Sequence, residues 1–124
     1  MNFNEYQELS KRTMPKPKYV MSMVVRKSNL YDGMAKSNYA MGLAGEAGEV
    51  TDLIKKEVHH GHHISVSDIK KELGDNLHYL AGIATMYGLT LEDVAITNIE
   101  KLKKRYPDGF SQQASINRIE NNVE

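Results

Sequence analysis

The chain contains no cysteine, which excludes a disulfide framework and thiolate metal sites and agrees with a reducing compartment. It also lacks any apolar run long enough to cross a membrane. Its first residues, MNFNEYQELSKR, lack the apolar centre of a signal peptide. We therefore expect a soluble, cytoplasmic protein that has no membrane partner.

An excess of charge of either sign is absent as well. Lysine plus arginine number 16, and aspartate plus glutamate also number 16, so the formal net charge is zero. Nucleic-acid-binding proteins usually carry a cationic field, and we therefore expect no nucleic-acid partner. A length of 124 residues favours one domain. We expect a helical domain over residues 1–110, in which 1–34 form an N-terminal helix and arm, and a polar tail over 111–124.

Helical periodicity dominates the sequence, and no strand pattern competes with it. Proline and glycine then mark where the helices end. The predicted elements are a short helix at 4–13, an extended basic arm at 16–33, and helices at 35–60, 67–87 and 90–106. This is an all-α bundle of about four helices. Because the chain is short and acids interrupt its apolar faces, we expect dimerisation to complete the bundle.

Two acidic pairs stand inside the apolar stripes of the predicted helices at 35–60 and 67–87. They are Glu46-x-x-Glu49 and Glu72-x-x-Asp75, and residues three apart share one face of a helix. A carboxylate directed at a core costs several kcal/mol unless it is neutralised. Few lysines or arginines share these stripes, so a divalent cation is the expected partner. Oxygen-only ligands favour Mg²⁺, with Mn²⁺ as a substitute, over zinc.

Three other interpretations compete with this one. Acidic pairs are common on solvated helix faces. The cluster His59-His60-Gly61-His62-His63 could bind a transition metal, although a loop with helix-end histidines is the simpler interpretation. Asp75-x-x-His78 imitates a di-iron ligand pattern, but such sites normally need that pattern on two helices.

A cationic group follows on the last long segment. Asn98, Lys101 and Arg105 share one face with apolar residues. Long basic side chains often pack their stems on apolar surface with the charge in water. Beside a metal-carboxylate site, however, they are what a polyphosphate needs, and Lys56 on the acidic face could join them.

Three linked runs carry a family resemblance: NYAMGLAGEAGEV at 38–50, ELGDNLHYL at 72–80 and NIEKLKKRYPDGF at 98–110. Their order and spacing resemble MazG-like nucleoside triphosphate pyrophosphohydrolases. The resemblance implies an all-α dimer or dimer of dimers that hydrolyses (deoxy)nucleoside triphosphates to monophosphate and pyrophosphate with Mg²⁺. It assigns metal binding to Glu46, Glu49, Glu72 and Asp75. It places Tyr79, Asn98, Lys101 and Arg105 around the nucleotide.

The chain departs from the family pattern beside Tyr79, where His78 stands in place of a large apolar or aromatic residue. We expect His78 to be solvated or to lie at an interface, because helical projection puts it off the apolar stripe. Glu49 and Glu72 are the candidate catalytic bases, and the residues do not decide between them. The alternative to an enzyme is a helical regulatory module that binds a nucleotide or metal without turnover.

Overall fold

The computed structural model describes residues 1–14 and 28–117, and within these ranges the chain forms helices and no strand. The helices are α1 (Phe3–Ser10), α2 (Ser28–His60), α3 (Val66–Met86), α4 (Leu91–Arg105) and α5 (Gln112–Ile116), and a 3-10 turn at Lys11–Thr13 extends α1. The all-α prediction is confirmed. None of the described helices is long and apolar enough to span a membrane.

Helices α2 and α3 form an antiparallel hairpin, which is the main packing unit of the chain. Gly61 ends α2 with a φ of +69°, a left-handed conformation that glycine adopts without steric cost. Ser65 is the N-cap of α3, and its hydroxyl accepts a hydrogen bond from the backbone N–H of Asp68 at 3.1 Å. The left-handed turn at Gly61 and the cap at Ser65 together fix the register between the two helices.

Two tyrosine–glycine contacts hold the hairpin close together. The ring of Tyr79 on α3 lies over Gly42 on α2, where an added Cβ would stand 2.3 Å from the ring. In the reciprocal contact, the ring of Tyr39 on α2 lies over Gly82 on α3, where a Cβ would stand 2.1 Å from it. Both glycines therefore matter through the close approach of a ring rather than through backbone conformation.

Helix α1 packs across α3 and α4 through a buried glutamine. The Gln7 side-chain amide donates to the Thr85 hydroxyl at 3.0 Å and to the Leu89 carbonyl at 2.9 Å. Its Oε1 accepts from the backbone N–H of Leu91, the first residue of α4, at 2.9 Å. A buried amide is stable only when its hydrogen-bonding groups are paired, so Gln7 fixes α1 to the turn between α3 and α4.

The predicted helix boundaries need one correction. The arm predicted at 16–33 is wrong from Ser28 onward, because α2 begins there; the earlier part of the arm lies outside the described residues. Gly33 lies inside α2 and does not interrupt it, because an interior glycine costs a helix only about 1 kcal/mol relative to alanine. Lys36 and Asp32, one helical turn apart, form an ion pair at 2.6 Å that supports this first part of α2.

Candidate metal and nucleotide site

Three carboxylates meet where the two halves of the hairpin face each other. Glu46 comes from α2, whereas Glu72 and Asp75 come from α3, and one oxygen of each lies within 4.8 Å of the others. The antiparallel register explains the meeting, because Tyr39, Gly42 and Glu46 on α2 run opposite Gly82, Tyr79 and Asp75 on α3. Glu46 and Glu72 are half-buried and Asp75 is exposed. We call Glu46, Glu72 and Asp75 the carboxylate trio.

The surroundings of Glu72 disfavour its ionised form. Partial desolvation raises the pKa of Glu72, and the negative charges of Asp75, Glu46 and Glu49 raise it further. Within the described part of the chain, no lysine or arginine forms an ion pair with the trio. The three oxygens therefore form a site whose charge is uncompensated and whose ligand type suits a hard cation.

Glu49 lies next to the carboxylate trio but is not one of its members. It is exposed and stands one turn after Glu46 on α2. Its charge contributes to the raised pKa of Glu72, so the two carboxylates lie close enough to interact. Glu49 is thus near the site while its oxygens are free of the tight three-way contact.

Lys56 forms an ion pair with Asp52, a residue that was not among those predicted from the sequence. Asp52 pairs with Lys56 at 2.5 Å and with Lys55 at 2.9 Å, and these two bonds lower the pKa of Asp52 to about 2. Hydrogen bonding to Asp52 also raises the pKa of Lys56. The i, i+3 and i, i+4 spacing of these residues was the available signal. Lys56 therefore points its charge at Asp52, and a phosphate would have to compete for it.

Tyr79 follows Asp75 by one helical turn and lies beside the trio on α3. Its ring meets the Tyr39 ring edge-on at a centroid distance of 5.3 Å and the His78 ring at 5.2 Å. Of the two environments expected for His78, solvated or at an interface, the solvated one is wrong for the described chain. His78 is half-buried, and its Nδ1 lies 2.7 Å from the Ser10 hydroxyl of α1. A projection of α3 alone could not show that α1 covers this residue.

The basic face of α4 remains a prediction. Asn98 and Lys101 are exposed, and Arg105 is half-buried with its guanidinium 6.0 Å from the centroid of the Tyr106 ring. No hydrogen bond or ion pair among the described residues joins this face to the trio. Helix α4 packs mainly on α1 and leaves apolar side chains exposed: Val94, Ile96, Ile99 and Leu102.

The histidines do not assemble a metal site in the described chain. His59, His60, His62 and His63 are all exposed, and no group of three metal-ligating residues other than the carboxylate trio comes together in the described ranges. His78 contacts Ser10 rather than the trio, so the di-iron interpretation gains no support from the geometry.

A family model described as the MazG nucleotide pyrophosphohydrolase domain matches residues 35–110, which include most of α2 and all of α3 and α4. The Gene 37 protein of Mycobacterium phage L5 is 34% identical over 86 residues, covering 66% of this chain and 75% of the phage protein. No solved structure gave a significant match.

Proposed function

Because the chain belongs to the MazG nucleotide pyrophosphohydrolase family, we propose that it hydrolyses (deoxy)nucleoside triphosphates to the monophosphate and pyrophosphate, with Mg²⁺ as its cofactor and Mn²⁺ as a substitute. The observation that carries this proposal is the carboxylate trio, whose oxygens lie within 4.8 Å of one another and whose charge is uncompensated in the described chain. The trio lies within the residues that the family model matches, which supports a chemical role for it over that of a solvated acidic pair.

The trio fits a hard divalent ion. Glu46, Glu72 and Asp75 offer only oxygen ligands, which suit Mg²⁺ and Mn²⁺. When bound, such an ion supplies Lewis acidity, which screens the triphosphate charge and makes water easier to deprotonate. The same ion would offset the repulsion that raises the pKa of Glu72. Desolvation and like charge disfavour the ionised form of Glu72 in the absence of a cation.

Glu49 is the better candidate for the general base. In our proposal Glu72 is committed to the ion, because it belongs to the trio and its charge is repelled by carboxylates on both helices, Glu46 on α2 and Asp75 on α3. Glu49 lies one turn from Glu46 and is exposed, so its carboxylate is available to accept a proton from water. Attack of this water on the α phosphorus would expel pyrophosphate as the leaving group, whereas attack on the β phosphorus would expel the monophosphate and leave the water oxygen in pyrophosphate. Both routes break the bond between the α and β phosphates and give the same two products.

The nucleotide would lie along α3 and reach towards cationic side chains. Tyr79 stands one turn beyond Asp75, and its half-buried ring could contact the substrate. We propose that Asn98, Lys101 and Arg105 bind the phosphates, and that Lys56 joins them by exchanging its Asp52 partner for a phosphate oxygen.

We also propose that two copies, or a dimer of dimers, complete the bundle. The exposed apolar side chains of α4 provide a face for such packing, in which one copy would cover the other. This assembly would also offer a route by which α4 residues approach a carboxylate trio.

The deciding experiment is a screen of ribonucleoside and deoxyribonucleoside triphosphates with Mg²⁺, with the products identified by chromatography. We expect monophosphate and pyrophosphate from at least one substrate, no turnover with chelator, and loss of turnover in Glu72→Gln. Glu57→Gln is the matched control, since Glu57 is an exposed glutamate on α2 that is not among the metal-ligating group. Release of orthophosphate and a diphosphate would contradict the proposed cleavage, and binding without turnover would favour the regulatory module.

A further inference from the structure

The imidazole of His78 is held by two hydroxyl groups from the N-terminal segment. The Ser10 hydroxyl at the end of α1 lies 2.7 Å from Nδ1, and the Thr13 hydroxyl of the 3-10 turn lies 3.5 Å from Nε2. A hydroxyl can both donate and accept a hydrogen bond, so these two contacts fit either neutral tautomer of the ring. The Ser10 contact is short and partly buried, whereas the Thr13 contact is long and exposed. Ser10 is therefore the stronger of the two links.

The other side of the His78 ring faces the aromatic cluster of the hairpin. Its centroid lies 5.2 Å from that of Tyr79 at an interplanar angle of 69°, and 5.8 Å from that of Tyr39. The position of the Tyr79 ring is in turn restricted by the Tyr39 ring and by the Gly42 backbone beneath it. Rings packed in this way settle into a small number of edge-to-face arrangements. Any change in the orientation of His78 therefore alters the space open to Tyr79.

We propose that Ser10 and His78 are positioning residues that fix the ring of Tyr79 and thereby couple helix α1 to nucleotide affinity. The proposal rests on the proposed function in one respect, namely that Tyr79 contacts the nucleotide. Neither Ser10 nor His78 is assigned to the reacting groups. Their effect passes through the ring of Tyr79, so it falls on substrate binding rather than on the chemical step.

Helix α1 is also attached to the rest of the chain by other hydrogen bonds. Because of them, the positioning role of Ser10 can be tested separately from the packing of α1 on the other helices. Gln7 makes three hydrogen bonds to the α3–α4 region. Asn4 donates to the Glu92 carboxylate of α4 at 2.9 Å. Loss of the Ser10 hydroxyl therefore leaves α1 in place while releasing His78. Loss of the Asn4 amide removes an attachment of the same helix that goes to α4 rather than to His78, which makes Asn4→Ala the matched control.

The experiment compares Ser10→Ala, Ser10→Thr and Asn4→Ala in the full-length protein. We expect Ser10→Ala to raise KM for the nucleotide about 3- to 10-fold with kcat within about twofold, the range that loss of one hydrogen bond allows. Ser10→Thr keeps the hydroxyl and should restore KM. Asn4→Ala should leave both constants within about twofold of the unaltered protein. Equal KM values for Ser10→Ala and Asn4→Ala, or a fall in kcat alone, would overturn the proposal.

A second measurement does not depend on turnover. In protein labelled with ¹³C at tyrosine rings, the Tyr79 signals are assigned by their loss in Tyr79→Phe. Ser10→Ala should shift or broaden these signals, and Asn4→Ala should leave them unchanged. Unchanged Tyr79 signals in Ser10→Ala would refute the positioning role. If the unaltered protein hydrolyses no nucleotide, the proposed function fails, while the ring signals still decide whether Ser10 and His78 position Tyr79.

Discussion

The reciprocal tyrosine–glycine contacts predict that one substitution, glycine to alanine, has opposite consequences at different positions of the hairpin. At Gly82 an added methyl group would stand 2.1 Å from the Tyr39 ring, and at Gly42 it would stand 2.3 Å from the Tyr79 ring. Real Cβ atoms do not tolerate such distances, so the ring must move in both variants. At Gly33 on α2 the same methyl group meets nothing within 4 Å.

The expected magnitudes follow from where each ring can go. Alanine stabilises a helix interior by about 1 kcal/mol relative to glycine, and this gain applies at all three positions. Overpacking costs about 1 to 3 kcal/mol where the neighbours cannot yield. Tyr39 is 3% exposed and lies against the rings of Tyr79 and His78, so it has little room to move. The difference between these two contributions is a net loss of up to about 2 kcal/mol for Gly82→Ala, with the upper part of that range expected because Tyr39 cannot yield.

Gly42→Ala should behave differently, because Tyr79 is half-buried and can turn towards solvent. Its net change in stability should be within about 1 kcal/mol, since the helix gain offsets part of the strain. The displaced Tyr79 ring should instead raise KM for the nucleotide. Gly33→Ala should be neutral or stabilising by up to about 1 kcal/mol, with unchanged kinetics.

Thermal unfolding followed by circular dichroism at one protein concentration measures the stability difference. A loss of 1 kcal/mol corresponds to a melting temperature roughly 3 to 6 °C lower for a domain of this size. Steady-state kinetics on the same three variants measures the functional difference. If Gly82→Ala melts as high as Gly33→Ala, the Tyr39 ring does not lie on the Gly82 backbone and the register of the hairpin is wrong.

Three further predictions concern the site and the assembly. Glu72→Gln should abolish turnover yet leave the metal-free fold at least as stable, because it removes a desolvated charge that repels its neighbours; unfolding of the metal-free variant would instead indicate a structural role. Light scattering at micromolar concentration should show at least a dimer, and an active monomer would contradict the assembly. Arg105→Met should lower kcat/KM roughly 10- to 150-fold if the guanidinium binds phosphate, and by less than about twofold if it is only a packed surface side chain, with little change in melting temperature either way.

The meeting of Glu46 with Glu72 and Asp75 could be predicted from the sequence because it depends on local regularities. Helical period places each acid on an inner face, and a short connection makes neighbouring helices antiparallel. The separation of Glu49 from this group could not be predicted in the same way. It depends on the rotation of α2 about its own axis, which is set by the two tyrosine–glycine contacts. Those contacts are close backbone approaches and leave no periodic signal.

Helix α1 shows the limit of local reasoning most clearly. Its existence was predictable from Phe3 and Tyr6 and from the prolines that follow. Its position depends on Gln7 and Ser10, whose partners lie 68 to 84 residues away along the chain. Polar residues of an exposed-looking helix give no local indication that they will be buried. For the same reason, the projection of His78 on α3 alone could not show its contact with Ser10 of α1.

The small core of the described chain supports the proposed assembly on physical grounds. Its buried apolar side chains are few, namely Tyr39, Ala81, Ala84 and Leu91, and two of these are alanines. Burial of apolar area is the main stabilising contribution to a fold, so small side chains provide little of it. Ile99 and Leu102 of α4 meanwhile remain 50% and 37% exposed. A second copy that covers this face would enlarge the core without adding a residue, and would make the stability of the protein depend on its concentration.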